Sequence, residues 1–137
     1  MNIRVSEEYF SQYRAQSAKL SDGSGYAAQL GVYHELHCLK KIKHWIHRSH
    51  YHTNVSQAVL DEEEEHVEHC LEWLRLGVMC RADVTLSALQ WDSPTGSRLE
   101  TEYPIPRKCV NFERLKKWSE ERAIDVTETG IIDRPYS

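Results

Sequence analysis

The sequence predicts a mainly α, small single domain built on an antiparallel helical hairpin, with irregular loops and a C-terminal helix. Its 137 residues are the size of one domain. Two long segments in the middle of the chain repeat apolar residues at helical spacing, which predicts two helices that each bury one face. Only a short polar segment separates them, and such a connection places consecutive helices side by side in opposite directions.

The composition excludes several classes of protein. No apolar run is long enough to cross a bilayer, so we expect no membrane tether in this chain. The first residues lack the apolar segment of a signal peptide. A net charge of −4 without an extended basic patch argues against nucleic-acid binding. Eight histidines and four cysteines instead favour a metal site or disulfides.

We divide the chain into an N-terminal helix and loop over 1–30, a core over 31–123 and an extended tail over 124–137. Ser6 is a typical N-cap, and good helix formers extend the first helix to about Leu20. The run of serines and glycines that follows predicts a loop.

The two central helices are predicted from Val32 to Ser49 and from Ser56 to about Met79. Aliphatic residues three and four apart predict a buried stripe on each helix. The stripe residues are Leu36, Leu39, Ile42 and Ile46 on the first of them, and Val59, Val67, Leu71, Leu74 and Val78 on the second. The acidic run at 61–65 predicts a solvated face near the positive end of its helix.

The C-terminal part of the core has a less regular pattern. Prolines and glycines exclude a long helix between 81 and 109, and only a short strand is predicted within 84–91. Asn111 is a typical N-cap for a last helix with one apolar face.

One pattern, His-x-x-His-Cys-Leu, occurs twice, beginning at His34 and at His66. Residues three apart share a helical face, so His34 with His37, and His66 with His69, each form a pair of nitrogen donors. If the helices are antiparallel and the connection centres near residue 54, His37 and His69 lie about 3 Å apart along the hairpin axis. The four imidazoles would then surround one metal ion or hold two ions close together.

A helix can also carry histidines that are merely partly buried and hydrogen-bonded. The duplication favours metal ligands over that alternative for the four motif histidines. His44 is expected opposite His66, which makes it a reserve ligand. His47, His50 and His52 are interpreted as solvated, and the four tryptophans as core or surface residues.

The four cysteines are interpreted as two disulfides, Cys38–Cys70 and Cys80–Cys109. The first would fix the register of the two histidine pairs, and the second would join the last helix to the end of the third. The alternative is that Cys38 and Cys70 bind metal as thiolates, which suits zinc or cuprous copper. A sequon predicts glycosylation at Asn54 and, with paired cysteines, favours the secretory-pathway lumen or secretion.

The twin motif resembles that of the fungal UstYa-like oxidase family. The resemblance runs from about Gly31 to Trp118 and carries the motif positions of the family over to the four histidines. The segments that support it are 33–39, 66–75, 77–86 and 109–118. The sequence departs from the family at Arg107, where a histidine is frequent, and in lacking the transmembrane helix with which members usually begin.

The resemblance implies oxidative tailoring in fungal secondary metabolism, by cyclisation, hydroxylation, desaturation or chlorination. Copper, as one or two ions, is the implied cofactor, with dioxygen as co-substrate and a peptide or small metabolite as substrate. Because family members often work in pairs, a homodimer or a paralogous partner is also expected.

Two other functions fit the same residues. The chain could be an inactive metal-binding partner with a closed four-ligand site. It could instead be a metal-free cyclase or isomerase that uses histidine acid–base chemistry. Glu35 and Asp83 are the carboxylates nearest the motifs, and we interpret them as surface or capping groups.

Overall fold

The computed structural model describes residues 1–12, 16–101 and 106–133. Its helices are α1 (Glu7–Phe10), α2 (Gly31–Ile46), α3 (Arg48–Tyr51), α4 (Gln57–Arg81) and α5 (Phe112–Glu120). Its strands are β1 (Asn2–Val5), β2 (Tyr26–Ala28), β3 (Leu89–Trp91), β4 (Leu99–Thr101) and β5 (Ala123–Ile124). No helix in these described ranges combines the length and apolarity needed to cross a membrane.

The N-terminal region is a three-stranded antiparallel sheet in the order β2-β1-β5. The central strand β1 buries Ile3 and Val5, and Leu20 is buried with them. Gly25 adopts φ +139°, and a Cβ atom there would lie 2.1 Å from the carbonyl oxygen of Val5. Only glycine therefore allows the chain to enter β2 so close to β1.

This sheet corrects the predicted helix from Ser6 to about Leu20. Ser6 does cap a helix, since its hydroxyl oxygen accepts a hydrogen bond from the Tyr9 N–H at 3.3 Å. That helix, α1, has only four residues, because the chain then turns back to pair β2 with β1. Residues 13–15 lie outside the described ranges.

The predicted extended tail is also only partly extended. Its first residue, Ile124, belongs to β5, which pairs with β1. Residues 126–130 then form turns, and Ile132 makes a β-bridge to Leu20. The two ends of the described chain therefore meet in the same sheet.

Helices α2 and α4 lie close to the predicted segments and pack against each other. Ser56 caps α4 by accepting a hydrogen bond from the Val59 N–H at 3.4 Å. Helix α4 ends where Ala82 takes a left-handed conformation with φ 40°. Pairs of residues in contact, such as Lys41 with Glu63 and Glu35 with Arg81, show that the two helices are antiparallel.

The predicted apolar stripes are wrong in most positions. Val67 is buried, whereas Leu36, Leu39, Ile46, Val59, Leu71 and Val78 are exposed. The interface instead buries Cys38 and Cys70, which are both 0% exposed. The physical reason is that one partner helix buries only a narrow strip of its neighbour's surface. Burial of the whole predicted stripe would need another element of structure packed against the two helices.

The C-terminal part of the described chain contains a β-hairpin and the last helix. The short predicted strand forms only as β3, which pairs with β4. Asn111 caps α5 as predicted, because its side-chain oxygen accepts a hydrogen bond from the Arg114 N–H at 3.0 Å. The rings of Tyr33 and Phe112, 6.2 Å apart, connect α5 to α2 near the motif histidines.

Candidate functional site

The four motif histidines lie together along one side of the α2–α4 interface. Their ring centroids are 5.3 Å apart for His37–His66 and 5.9 Å apart for His34–His69. Within each helix, the centroids are 6.1 Å apart for His34–His37 and 6.5 Å apart for His66–His69. Each imidazole thus has one neighbour on its own helix and one on the other.

The closest approach joins one histidine from each copy of the motif. The Nε2 atoms of His37 and His66 are 3.4 Å apart. The sequence led us to expect His37 close to His69 along the axis. The predicted register holds at the cysteines, where Cys38 touches Cys70. The histidines lie to one side of the Cys38–Cys70 contact. There, residues of the two helices that face each other are offset along the axis, and this offset brings His37 next to His66.

The 3.4 Å distance fits two ligands of one metal ion. Imidazole nitrogens bound to a tetrahedral ion such as zinc, at about 2.0–2.1 Å, lie about 3.3 Å from each other. The same separation is at the long end of a hydrogen bond between the two rings, in which the tautomers decide which nitrogen donates. Partial desolvation lowers the pKa of His37, and the charges of His66 and Lys41 lower it further. His37 therefore favours the neutral form, which a metal requires.

The rest of the donor set fits a metal only in part. In the described ranges, no group of three or more histidine, cysteine, aspartate or glutamate side chains is arranged to hold an ion. However, the Nδ1 atom of His34 is buried and has no hydrogen-bond partner. A buried polar atom without a hydrogen-bond partner reduces the stability of the fold. The His34 Nδ1 atom is therefore a polar group beside the His37–His66 pair whose partner is missing.

The two buried cysteines lie next to the histidines in the same interface. Burial raises the pKa of Cys70 well above its usual range, and contact with Cys38 raises it further. Cys70 is thus a neutral thiol at neutral pH in the metal-free protein. It would have to lose its proton before it could bind metal as a thiolate. All four cysteines are free thiols in this structure, with Cys38 and Cys70 buried and Cys80 and Cys109 exposed. Both predicted pairings stay predictions, and the contact between Cys38 and Cys70 is compatible with the first.

Two side chains at equivalent positions of the repeat flank the cluster. Lys41 follows His37 by four residues and donates hydrogen bonds to both carboxylate oxygens of Glu63, at 2.7 and 2.9 Å. Trp73 follows His69 by four residues, and its ring lies 4.6 Å from His34. The sequence alone indicates only a core or surface residue at Trp73. Its spacing from His69, which places it on the same helical face, is the signal that could have identified it.

The two carboxylates near the motifs have structural partners. Glu35 accepts a hydrogen bond from Arg81 at 2.6 Å and lies over Gly77, where a Cβ atom would be 2.8 Å from its carboxylate. Asp83 pairs with Arg107 at 3.5 Å, and hydrogen bonds from the side chain and the N–H of Thr85, the latter at 3.0 Å, lower the pKa of Asp83. Asp83 is exposed, whereas the Glu35 side chain is only 18% exposed and joins α2 to α4. Their interpretation as surface or capping groups stays a prediction.

The remaining predicted site residues lie toward the other end of α2. His44, the reserve ligand, stacks on Tyr51 of α3 with ring centroids 3.9 Å apart. His52 is half-buried, and its Nε2 atom is buried without a hydrogen-bond partner, so its interpretation as solvated is wrong. Asn54 is exposed in the loop before α4, where its glycosylation stays a prediction.

A family model and several characterised relatives match this chain. Residues 1–122 match a family model described as "Mycotoxin biosynthesis protein UstYa". The UstYa family oxidase phomYc' of Diaporthe leptostromiformis is 32% identical over 98 residues, which cover 69% of this chain and 39% of that protein. No solved structure matches this chain.

Two further relatives come from other fungi. The transacylase cctO of Talaromyces islandicus is 29% identical over 122 residues, which cover 83% of this chain and 41% of the transacylase. The oxidase ustYa of Aspergillus flavus is 28% identical over 102 residues, 73% of this chain and 44% of its own. The chain thus spans about two-fifths of the length of these three relatives.

Proposed function

Because this chain belongs to the UstYa family, we propose that it is an oxidative tailoring enzyme of fungal secondary metabolism whose twin-motif histidines bind copper. The family model and the relatives named oxidases support the reaction class. The observation that carries the metal assignment is the 3.4 Å approach of the His37 and His66 nitrogens from separate helices.

The donors suit a transition metal, and the reaction class selects copper among them. Imidazole binds copper, zinc, iron and nickel, whereas carboxylates and carbonyls suit magnesium or calcium. Relatives named oxidases favour a redox-active ion, which excludes zinc. Glu63 and Glu35, two carboxylates of the same interface, are engaged by Lys41 and Arg81. Bound copper would supply one-electron redox chemistry with dioxygen on a peptide or small metabolite.

The residues of this chain have distinct tasks in that proposal. His37 and His66 hold the ion, and the lowered pKa of His37 limits competition from protons. His34 lies beside them as a further imidazole, and its Nδ1 atom has no hydrogen-bond partner. His69 is exposed at the edge of the cluster, so a substrate can approach from that side. Lys41 and Glu63 hold the two helices at the spacing that the metal needs.

A second candidate function is acid–base chemistry by the same histidines without metal. The relative named a transacylase favours it, since that name describes group transfer and not oxidation.

The test is metal analysis with Cu(II) electron paramagnetic resonance on the purified protein and two double variants. We expect about one or two copper ions per chain with nitrogen hyperfine lines, lost in His37→Ala/His66→Ala. The control His47→Ala/His50→Ala removes two exposed histidines outside the cluster and should keep the signal. A wild-type protein without tightly bound copper, or copper that survives in the first variant, would refute the proposal.

A further inference from the structure

Trp73 contacts two histidines that come from different copies of the motif. Its ring stands nearly perpendicular to that of His34, at 83° and 4.6 Å between centroids. It also lies 6.2 Å from the ring of His69, on its own helix. Perpendicular aromatic pairs at these separations are attractive, because the edge of one ring meets the face of the other.

We propose that Trp73 is a positioning residue of the histidine cluster, whose indole fixes the orientation of the His34 and His69 imidazoles. The first support comes from His34 itself. A metal-binding imidazole is usually oriented by a hydrogen bond from its second nitrogen to a carboxylate or carbonyl. The Nδ1 atom of His34 is buried and makes no hydrogen bond, so ring packing against Trp73 takes over that orienting role.

The second support is the comparison with the other copy of the motif. The position equivalent to Trp73 is Lys41, which reaches across the interface to Glu63. Lys41 thus joins α2 to α4 beside the His37–His66 pair through an ion pair. Trp73 joins α4 to α2 beside the His34–His69 pair through an aromatic contact. Each histidine pair therefore has its own contact between the helices, four residues after the second histidine of a motif.

The third support is the exposure of Trp73, which is 43%. A tryptophan that served only the core would be more deeply buried. Here one part of the indole packs on the imidazoles and the rest remains at the surface beside exposed His69. The ring can thus hold the histidines without closing the cluster to a substrate.

The first experiment needs no metal. We would record nuclear magnetic resonance spectra of histidine-labelled protein for the wild type, Trp73→Ala and Trp73→Phe. Trp45→Ala is the matched control, because Trp45 packs on another histidine, His52, with centroids 6.4 Å apart. Trp73→Ala should shift the His34 and His69 ring signals by more than the loss of the indole ring current accounts for, and it should leave His52 unchanged. Trp73→Phe should shift them less, and Trp45→Ala should shift His52 only.

Two outcomes of this experiment would overturn the proposal. One is that the His34 and His69 signals in Trp73→Ala move only as far as the loss of the indole ring current accounts for. The other is that Trp45→Ala moves them as much as Trp73→Ala does, which would indicate a general loss of packing. Circular dichroism of the variants shows whether each is folded, and Trp73→Phe provides a conservative change if the alanine variant unfolds.

The second experiment rests on the proposed copper function. Trp73→Ala should weaken Cu(II) binding about tenfold and change the nitrogen hyperfine pattern, because the contacts that orient ligands contribute about 10–100-fold to metal affinity. Trp73→Phe should restore most of that affinity. A Trp73→Ala protein with wild-type affinity and spectrum would overturn the positioning role. A wild type that binds no copper would refute the copper function instead, and the metal-free spectra would then decide the role of Trp73.

Discussion

The two pairs of facing histidines differ, although one repeated motif supplies both. In the His37–His66 pair the Nε2 atoms approach to 3.4 Å, and an ion pair between Lys41 and Glu63 lies beside them. In the His34–His69 pair the ring centroids are 5.9 Å apart with planes tilted by 58°, compared with 5.3 Å and 36° in the first pair. The repeat thus supplies equivalent donors, and the residues that flank them determine how closely each pair approaches.

This difference assigns separate tasks to the two pairs. The His37–His66 pair already has the spacing of two ligands on one ion. The His34–His69 pair has the wider ring spacing and lies against Trp73, and each pair has one exposed member, His37 and His69. We therefore expect the His37–His66 pair to determine whether metal binds. The His34–His69 pair should change the affinity and the coordination geometry of the bound ion.

The largest predicted effect separates the two pairs by alanine substitution. His37→Ala should abolish tight copper binding, whereas His69→Ala should weaken it by about 10–100-fold, the range of a supporting contact. Competition with a coloured copper chelator measures both affinities. Equal losses in the two variants would mean that the pairs contribute equally and that the observed difference in spacing has no functional consequence.

A second prediction concerns the buried contact between Cys38 and Cys70, which packs α2 against α4 beside both histidine pairs. Cys70→Ala removes a fully buried side chain and should reduce the free energy of unfolding by about 1–3 kcal/mol. Cys80→Ala changes an exposed cysteine and should stay within about 0.5 kcal/mol of the wild type. Urea denaturation followed by circular dichroism gives both values. No difference between the two variants would argue against a packed seam at Cys70.

The smallest predicted effect concerns the ion pair beside the closer histidines. Glu63→Gln should reduce the free energy of unfolding by no more than about 1 kcal/mol, because both side chains are only partly buried. Glu64→Gln, at an exposed position next to it, is the matched control.

The effect of Glu63 should also depend on pH. Hydrogen bonds from Lys41 lower the pKa of Glu63 below 4.5. A carboxyl with a depressed folded-state pKa stabilises the fold above its unfolded pKa, and this contribution disappears as pH falls through the folded value. Wild type and Glu63→Gln should therefore differ in stability at pH 7 and converge below about pH 4. A constant difference across this range would exclude the ion pair as its cause.

The elements that could be predicted from the sequence have local signals. Ser56 and Asn111 cap α4 and α5 because a side-chain oxygen meets an N–H three residues later, and that spacing is visible in the sequence. The His-x-x-His spacing likewise placed each pair of donors on one helical face. These features depend on residues within one or two helical turns.

The features that could not be predicted depend on distant parts of the chain. The N-terminal sheet joins residues 2–5 to 26–28 and 123–124, and nothing near β1 in the sequence indicates those partners. The pairing of His37 with His66 depends on the stagger of two helices about their seam. The exposure of Leu39 and Leu71 depends on which layers cover the helices, and apolar spacing does not reveal it.

A crystal structure of the copper-loaded protein, with anomalous diffraction at the copper edge, tests the copper site directly. We expect an anomalous peak between His37 and His66, within bonding distance of both Nε2 atoms, at about 2 Å. A peak elsewhere, such as near His44 and His52 at the other end of α2, would contradict this expectation. A loaded crystal with no peak at the His37–His66 pair would do the same.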